Sequence, residues 1–577
     1  MKQRIRIQNK DKTARIYLPI GNFADLVAHM KEHGGKTVFM WNAREGEEKD
    51  GAINYELFSE EIELAAAALT EEGLAGKRIA FLGNPSVTYA AFMLATLATG
   101  GVIVPLDRER STEDIAALIQ RSGASALFYG TGVVADLGVL CKERGLRLVC
   151  AMENALELPE HKKARRYADV LLSGAAALGE GQHFAFPKVA PDAPAAMLFT
   201  SGTVKDRKCA VLSVKNLTSA VNTACASVDI EKADLVLSVL PFHHSYALSS
   251  LFVLFNYGVT VALNDDPANF YTNLQKYRPT GLILVPLYIG AMYNRLWETN
   301  RQLKHERGLH YGIRTSNIFL NFGIDLREKL FSRTRTFFGG RLTKIISGGA
   351  PLSPKLIYAF ESLGIAVYEG YGITECGPFV AVTPYFARRI GSVGRPLPGV
   401  SVRIDSTDGA KGAHGYEEGE IEIKSDAVML GYDGDEAENN AVFTLDGYFR
   451  TGDIGYIDRD GYLYVTGRKK TVIVLDNGRN VAPEELEEYL LALPEVDDAL
   501  VYAQKDTADV LRLYAVLLPS ADALKDRTSD EVLALLKEKV TELNHRLPAF
   551  KRISDVFASD TPFPRNSAGK LLRDRID

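Results

Sequence analysis

From residue 22 to about residue 390 the apolar positions follow two alternating rhythms. "FSEEIELAAAALTEEG" (58–73) repeats apolar residues at helical spacing and ends on a glycine, a C-terminal stop signal. "KRIAFLG" (77–83) is a short continuous apolar run, as a buried strand shows. "SVTYAAFMLATLATGG" (86–101) reads as a second helix with a glycine end, and "VIVPLD" (102–107) as the next strand. Helices and buried strands in alternation predict βαβ units and a parallel sheet. The same punctuation continues through "ASALFYG" (124–130), "LRLVCAM" (146–152), "LVLSVLPF" (235–242), "GVTVAL" (258–263), "GLILVP" (281–286), "LTKIISGG" (342–349) and "IAVYEGYG" (365–372).

After about residue 390 the runs become short and alternate strictly, broken by Gly and Asp. "GSVGRPLPGVSVRI", "GEIEIKS" and "YFRTGDIGYIDRDGYLYVTGR" predict antiparallel hairpins or a small barrel, with Asp460-Gly461 at one hairpin turn. From about residue 470, strands ("TVIVL", "DALVYA", "RLYAVLL") mix with helices ("PEELEEYLLAL", "SDEVLALLKEKVTELNHRL"), which predicts a separate small α+β domain. The fold class is therefore α/β. A large unit, 1–469, holds parallel-sheet subdomains to about 390 and a β-rich, barrel-like subdomain over 391–469. A small unit follows over 470–577. There is no internal repeat and no low-complexity segment.

Composition narrows the function classes. The 577 residues, 46% hydrophobic and 24% charged, are ordinary for a globular chain of several subdomains. A net charge of −6 offers no footprint for nucleic acid. Five cysteines without a CxxC pair argue against a disulfide framework and a zinc site, and suit a reducing, cytoplasmic compartment. The start lacks an apolar signal-peptide core. "YAAFMLATLATGGVIVP" (89–105) is interrupted by Gly-Gly and is too short for a membrane span, which needs about 20 apolar residues.

Several stretches could carry chemistry, and each has a bland reading beside it. "YGTGVVA" (129–135) fits a dinucleotide fingerprint with Glu153 downstream, yet glycines serve ordinary strand–helix turns as well. "LFTSGTVKDRKCAVLS" (198–213) is not a Walker A loop. Its hydroxyls, free N–H groups and cations could wrap a triphosphate, or form a basic surface loop. "LPFHHSYAL" (240–248) has two histidines but no acidic or cysteine partner at metal-ligand spacing, so packing or a pocket wall is preferred. "ISGGAPLSP" (346–354) ends a strand and leads into a helix that Ser353 and Pro354 could start; strand ends of this kind bind ligands in α/β sheets. "YEGYGITECGP" (368–378) has the same character, with Thr374 and Glu375 exposed. "RTGDIG" (450–455) puts Asp453 in a glycine turn, as an Asx-turn or as a carboxylate for ribose hydroxyls. "PFPRNSAGKLLRDRID" (562–577) carries Lys570 in a turn-rich loop.

In order, these pieces resemble the adenylate-forming superfamily of acyl-CoA synthetases, nonribosomal adenylation domains and beetle luciferases. "SGGAPLSP", "YEGYGITE", "YFRTGDIGYIDRDGYLYVTGRKK", "NVAPEELE" and "PRNSAGK" carry the resemblance over nearly the whole chain. It demotes "YGTGVVA" to a turn. It implies that a carboxylate attacks the α-phosphate of ATP to give an acyl-adenylate and pyrophosphate, and that the thiol of coenzyme A then displaces AMP. Such catalysis is mostly positioning and cationic stabilisation.

The resemblance implies a role for each matching residue. Thr200, Ser201, Gly202, Thr203 and Lys208 correspond to the phosphate loop. Gly349, Ala350 and Pro351 would border the adenine, with Glu369, Gly370 and Tyr371 as the next wall. Thr374 would bond the α-phosphate and Glu375 would hold Mg²⁺. Asp453 would bind both ribose hydroxyls, assisted by Arg468. Lys570 would bridge acyl carboxylate and phosphate. His244 would gate the acyl pocket, and Lys470 would be the hinge about which the small domain reorients between half-reactions.

The chain departs from the family pattern in two places. Where the usual loop is T-S-G-T-T-G-x-P-K-G, Val204, Lys205, Arg207 and Cys209 replace Thr, Gly, Pro and Gly. A lysine often seen after the hinge is Val474 here. "GRKKTVIVLDNGRNVAPEELE" (467–487) looks most like bacterial fatty acyl-CoA synthetases, which implies a medium- or long-chain fatty acid. With no carrier domain after Asp577, an assembly line in cis is not expected. A free carrier protein, through its phosphopantetheine, stays open as the acceptor, and so does an impaired pseudoenzyme. Peripheral membrane contact also stays open.

Overall fold

Side-chain caps start the first two helices that the apolar rhythm predicts, and they set where those helices begin. Asn54 accepts the N–H of Leu57 at 2.8 Å and begins the helix Tyr55–Glu71, three residues ahead of the predicted stretch. Ser86 accepts the N–H of Tyr89 at 3.1 Å and begins Val87–Ala98. All twelve residues of that helix are buried in protein, and no helix among the described residues is long and apolar enough to cross a membrane. The computed structural model describes residues 18–43, 49–143, 145–153, 156–179, 181–200, 208–264, 266–406, 415–471, 473–475, 480–506, 510–525, 527–565, 571 and 573.

The predicted parallel strands form two large sheets. In the eight-stranded sheet the order runs Gly431–Tyr432, Cys209–Ser213, Pro194–Phe199, Val102–Leu106, Arg78–Leu82, Ala126–Tyr129, Leu148–Ala151, Ala164–Arg166. Arg78–Leu82 is parallel to both neighbours, with Ile79 opposite Ile103 and Ala126. Its successive side chains enter different cores: Ile79 and Phe81 join one cluster, Ala80 and Leu82 another. Burial on both faces is why this strand reads as a continuous apolar run. The nine-stranded sheet centres on parallel strands Leu235–Ser238, Gly281–Leu284, Lys344–Ser347 and Ala366–Tyr371. "YGTGVVA" is a turn whose Thr131 N–H is held by the buried Glu153 carboxylate at 2.9 Å.

The barrel-like expectation for 391–469 is corrected. Ser401–Asp405, Gly419–Lys424, Phe449–Ile457 and Leu463–Arg468 form an open four-stranded antiparallel sheet, and among the described residues its two outer strands do not pair with each other. Four strands are too few to close around a filled interior. The hairpin is as expected: Ile457 pairs with Leu463, and Asp458 accepts the N–H groups of Asp460 and Tyr462 across the turn. The tail is a separate α/β unit. Its three strands, Val496–Lys505, Leu511–Pro519 and Ile553–Ala558, share a core with Pro483–Leu491 and Ser529–Asn544. Among the described residues of "TVIVL", Ile473–Val474 form a strand.

Candidate functional site

The C-terminal ends of the parallel strands open onto one cavity of about 760 Å³. The two large sheets meet there. Asp107 and Arg110 follow one strand, Thr200 another, and Val285, Gly348, Gly349, Gly370 and Tyr371 end three strands of the second sheet. The open ends of parallel strands are the usual ligand crevice of α/β folds. Thr374, Glu375 and Arg468 complete a polar end. Ala224, Val228, Ile230, Leu240, Val253, Phe379 and Leu397 give the remainder an apolar lining.

Asp453 does not lie in a glycine turn, as the sequence suggested. It sits inside the strand Phe449–Ile457, opposite Arg468. Gly452, at φ +71°, lies in the bulge of that strand, and its N–H is held by Glu420 at 3.0 Å. Asp453 is 2% exposed, and both its oxygens are engaged: the Tyr371 hydroxyl donates to Oδ2 at 2.7 Å, and Arg468 Nε forms an ion pair with Oδ1 at 2.9 Å. Burial and the Asp453 carboxylate hold the Tyr371 phenol far above its ordinary range.

Glu375 and Lys208 belong to a second network. Tyr432 donates its hydroxyl to Glu375 Oε1 at 2.8 Å, and its ring lies 4.9 Å below Lys208 Nζ. Lys208 is ion-paired to Glu438. Glu438 is in the first turn of the helix Glu436–Val442, where Asp435 caps its N–H at 3.0 Å. Thr200 donates its N–H to the Lys208 carbonyl at 3.0 Å, which closes the base of the loop between them. Ser201, Gly202 and Thr203, with Val204, Lys205 and Arg207, lie outside the described residues. Cys209 starts the following strand, buried, its thiol pushed up to about 12 by burial. All five cysteines are buried and free.

The histidine pair lies against the apolar side. His244 occupies the N-cap position of Ser245–Tyr257 without a side-chain cap bond, and its ring centroid is 4.1 Å from that of His243. Burial lowers both imidazoles, His243 far below its ordinary value. Both are therefore neutral near pH 7, which suits a pocket wall and not a charged ligand. Thr374 shares a hydrogen bond with Ser245 at 3.0 Å. Glycine is obligatory at 372, where an added Cβ would lie 1.5 Å from the Pro378 carbonyl oxygen.

The remaining expected residues are distributed less evenly. Gly349 lines the cavity, while Ala350 and Pro351 follow it toward the helix Pro354–Ser362. Pro354 takes the first helical position, and the Ser353 hydroxyl makes no cap bond. Gly370 and Tyr371 line the cavity; Glu369 precedes them and accepts the Thr383 N–H at 2.8 Å. Lys470 is an exposed turn residue after Leu463–Arg468. Lys570 lies outside the described residues. Arg565, from the small unit, lines the cavity and pairs with Asp498 at 2.7 Å. The sequence reading missed Tyr432, Glu438 and Ser245. Tyr432 and Glu438 sit in "GYDGDEAENN", which reads as a solvated turn and helix start.

Comparison with known proteins gives a consistent picture. The model of the AMP-binding enzyme family matches residues 26–433, and that of the AMP-binding enzyme C-terminal domain matches residues 470–577. The long-chain-fatty-acid–CoA ligase FadD15 of Mycobacterium bovis is 30% identical over 463 residues, covering 76% of this chain and 73% of the relative. A 2-succinylbenzoate–CoA ligase of Bacillus velezensis is 28% identical over 459 residues, covering 79% and 82%. ATP-bound MatB from Rhodopseudomonas palustris superposes with a TM-score of 0.72 at 25% identity, over 96% of this chain and 98% of that one.

Proposed function

The chain belongs to the AMP-binding enzyme family, and from that membership we propose that it converts a medium- or long-chain fatty acid to its coenzyme A thioester. The activity is that of an AMP-forming acyl–CoA ligase working through an adenylate. One observation carries the fatty-acid reading: the cavity joins a polar end at Thr374, Glu375 and Arg468 to an apolar lining of Ala224, Val228, Ile230, Leu240 and Val253. A polar end suits ATP, and an uncharged wall suits an alkyl chain.

In this reading the acid's carboxylate oxygen bonds to the α-phosphorus of ATP, and the bond to pyrophosphate breaks. The sulfur of coenzyme A then bonds to the acyl carbon, and AMP leaves with the carboxylate oxygen. Asp453, oriented by Tyr371 and Arg468, accepts from the ribose hydroxyls. The loop Thr200, Ser201, Gly202, Thr203 and Lys208 binds phosphate oxygens, Thr374 donates to the α-phosphate, and Lys570 bridges phosphate and acyl carboxylate. Gly349, Ala350, Pro351, Glu369, Gly370 and Tyr371 form the adenine walls. The neutral His244 borders the acyl chain. Lys470 is the hinge of the small unit, at the boundary between 1–469 and 470–577.

Glu375 fits Mg²⁺. The ion is commonly held by one or two carboxylates with substrate phosphates, and among the described residues no cluster of three His, Cys, Asp or Glu could hold a metal without such help. Bound there, the ion would neutralise phosphate charge.

Pyrophosphate release across a panel of carboxylic acids, with coenzyme A or a holo-carrier protein as acceptor, tests the proposal. Release greatest with acids of medium to long chain, and a thioester on coenzyme A, is expected. A preference for aromatic acids would overturn the substrate class. A thioester on the carrier alone would replace the acceptor. No release with any acid would mark a pseudoenzyme.

A further inference from the structure

The strand Gly281–Leu284 leads past Val285, a cavity-lining residue, directly into the helix Pro286–Gln302, and a three-residue link then leads to the helix Glu306–Asn321. The second helix is apolar on two faces. Leu309 is buried, and Ile313 packs against the core of the nine-stranded sheet. On the opposite side Tyr311, Ile318 and Phe322 follow one another at seven and four residues, 75%, 51% and 79% exposed. Ile324 and Leu330, just beyond, are about half exposed. Such a row is unusual for a surface with no partner.

Its surroundings are basic in an acidic chain. Between residues 303 and 341 eight Lys and Arg stand against three Asp and Glu, while the whole chain carries −6. Lys304, Arg307, Arg314, Lys329 and Arg333 are exposed and have no ion-pair partner among the described residues. Arg307 and Arg314 are four residues before Tyr311 and Ile318, so they flank the apolar row on its own side of the helix.

We propose that this face docks on an anionic lipid bilayer, with Tyr311, Ile318 and Phe322 entering the headgroup region and the cations meeting lipid phosphates. Exposed apolar and aromatic side chains framed by Lys and Arg are the chemistry of interfacial binding. Juxtaposed basic residues add attraction to anionic lipid that decays within a Debye length. A second copy of the chain fits less well, because a two-fold contact would bring Arg307 and Arg314 toward their own counterparts. The surface stands apart from the catalytic residues, and the inference does not depend on which acid the enzyme uses.

Vesicle co-sedimentation of the full chain tests it, using vesicles of phosphatidylcholine alone and of equal parts phosphatidylcholine and phosphatidylglycerol. Binding to the anionic vesicles only is expected, and it should be lost on going from about 0.1 M to about 1 M salt. The pair Arg307→Glu with Arg314→Glu should lower vesicle affinity at least ~10-fold. So should Tyr311→Ser with Phe322→Ser, the thermal midpoint and pyrophosphate release in free solution being unchanged. No binding by the parent chain, equal binding to both vesicles, or full binding by either variant pair overturns the proposal. So does a fall in sedimentation coefficient caused by Tyr311→Ser with Phe322→Ser without vesicles, which would reveal a self-contact.

Discussion

A buried carboxylate with two partners is costly to remove, and Asp453 is one. Asp453→Ala leaves the Tyr371 hydroxyl and the Arg468 guanidinium without their acceptor. The exposed Arg468 turns to water, but leaving the buried Tyr371 hydroxyl unpaired costs about 1–3 kcal/mol, which predicts a loss of kcat/KM for ATP of ~5-fold or more. A variant with a lowered thermal midpoint but unchanged KM for ATP would make Asp453 a brace only. Glu438→Gln removes the anion that holds Lys208. For a partly exposed pair worth up to about 1 kcal/mol, KM for ATP should fall by up to ~5-fold. A rise in KM instead would mean that Glu438 helps to present the lysine. Glu369 predicts a pH effect. Burial, with Glu488 and Glu361 nearby, raises it to about 8 from an ordinary 4.5. Between those values the folded chain binds more protons than the unfolded one, so the contribution of Glu369 to stability falls as pH rises. Glu369→Gln should flatten that slope in denaturant titrations, and parallel curves for parent and variant would refute the assignment.

At the scale of elements, the alternation of helix and strand was legible because burial on both faces makes a parallel strand uniformly apolar, as in Arg78–Leu82. Helix starts were less so: the Asn54 cap lies ahead of the first repeating apolar residue. Alternation reports a half-buried strand and says nothing about closure, so the sequence of 401–468 suggests a barrel where the sheet is open. Asp453 was read into a turn because Gly452 marks a bulge as readily as a turn. Tyr432 and Glu438 were illegible for a different reason: the Lys208–Glu438 pair spans 230 residues of chain. Val228→Phe, which narrows the lining, should shift the preferred acid to a shorter chain in the same pyrophosphate assay. Lys470→Pro fixes φ at the exposed turn and should slow thioester formation more than adenylation in single-turnover measurements. Equal slowing of both steps would move the hinge elsewhere.

Among the described residues, the large unit supplies nearly all of the cavity wall, and Arg565 of the small unit joins it. The two units have separate apolar cores, so ATP should raise the unfolding transition of the large unit and leave that of the small unit nearly still. Differential scanning calorimetry with and without ATP reads this, and Asp453→Ala should abolish the shift. Joint movement of both transitions would mean that the units unfold together. The Lys208–Glu438 pair has a consequence for the molecule as a whole. Under the proposed phosphate role of Lys208, Glu438 is a competitor tethered to the chain, so its effective concentration at the lysine is set by the fold and cannot be diluted. On the proposed reading, nucleotide binding is an exchange of one anion for another. Its affinity is a difference between two ion pairs, and release of the spent nucleotide is assisted by a carboxylate waiting to return.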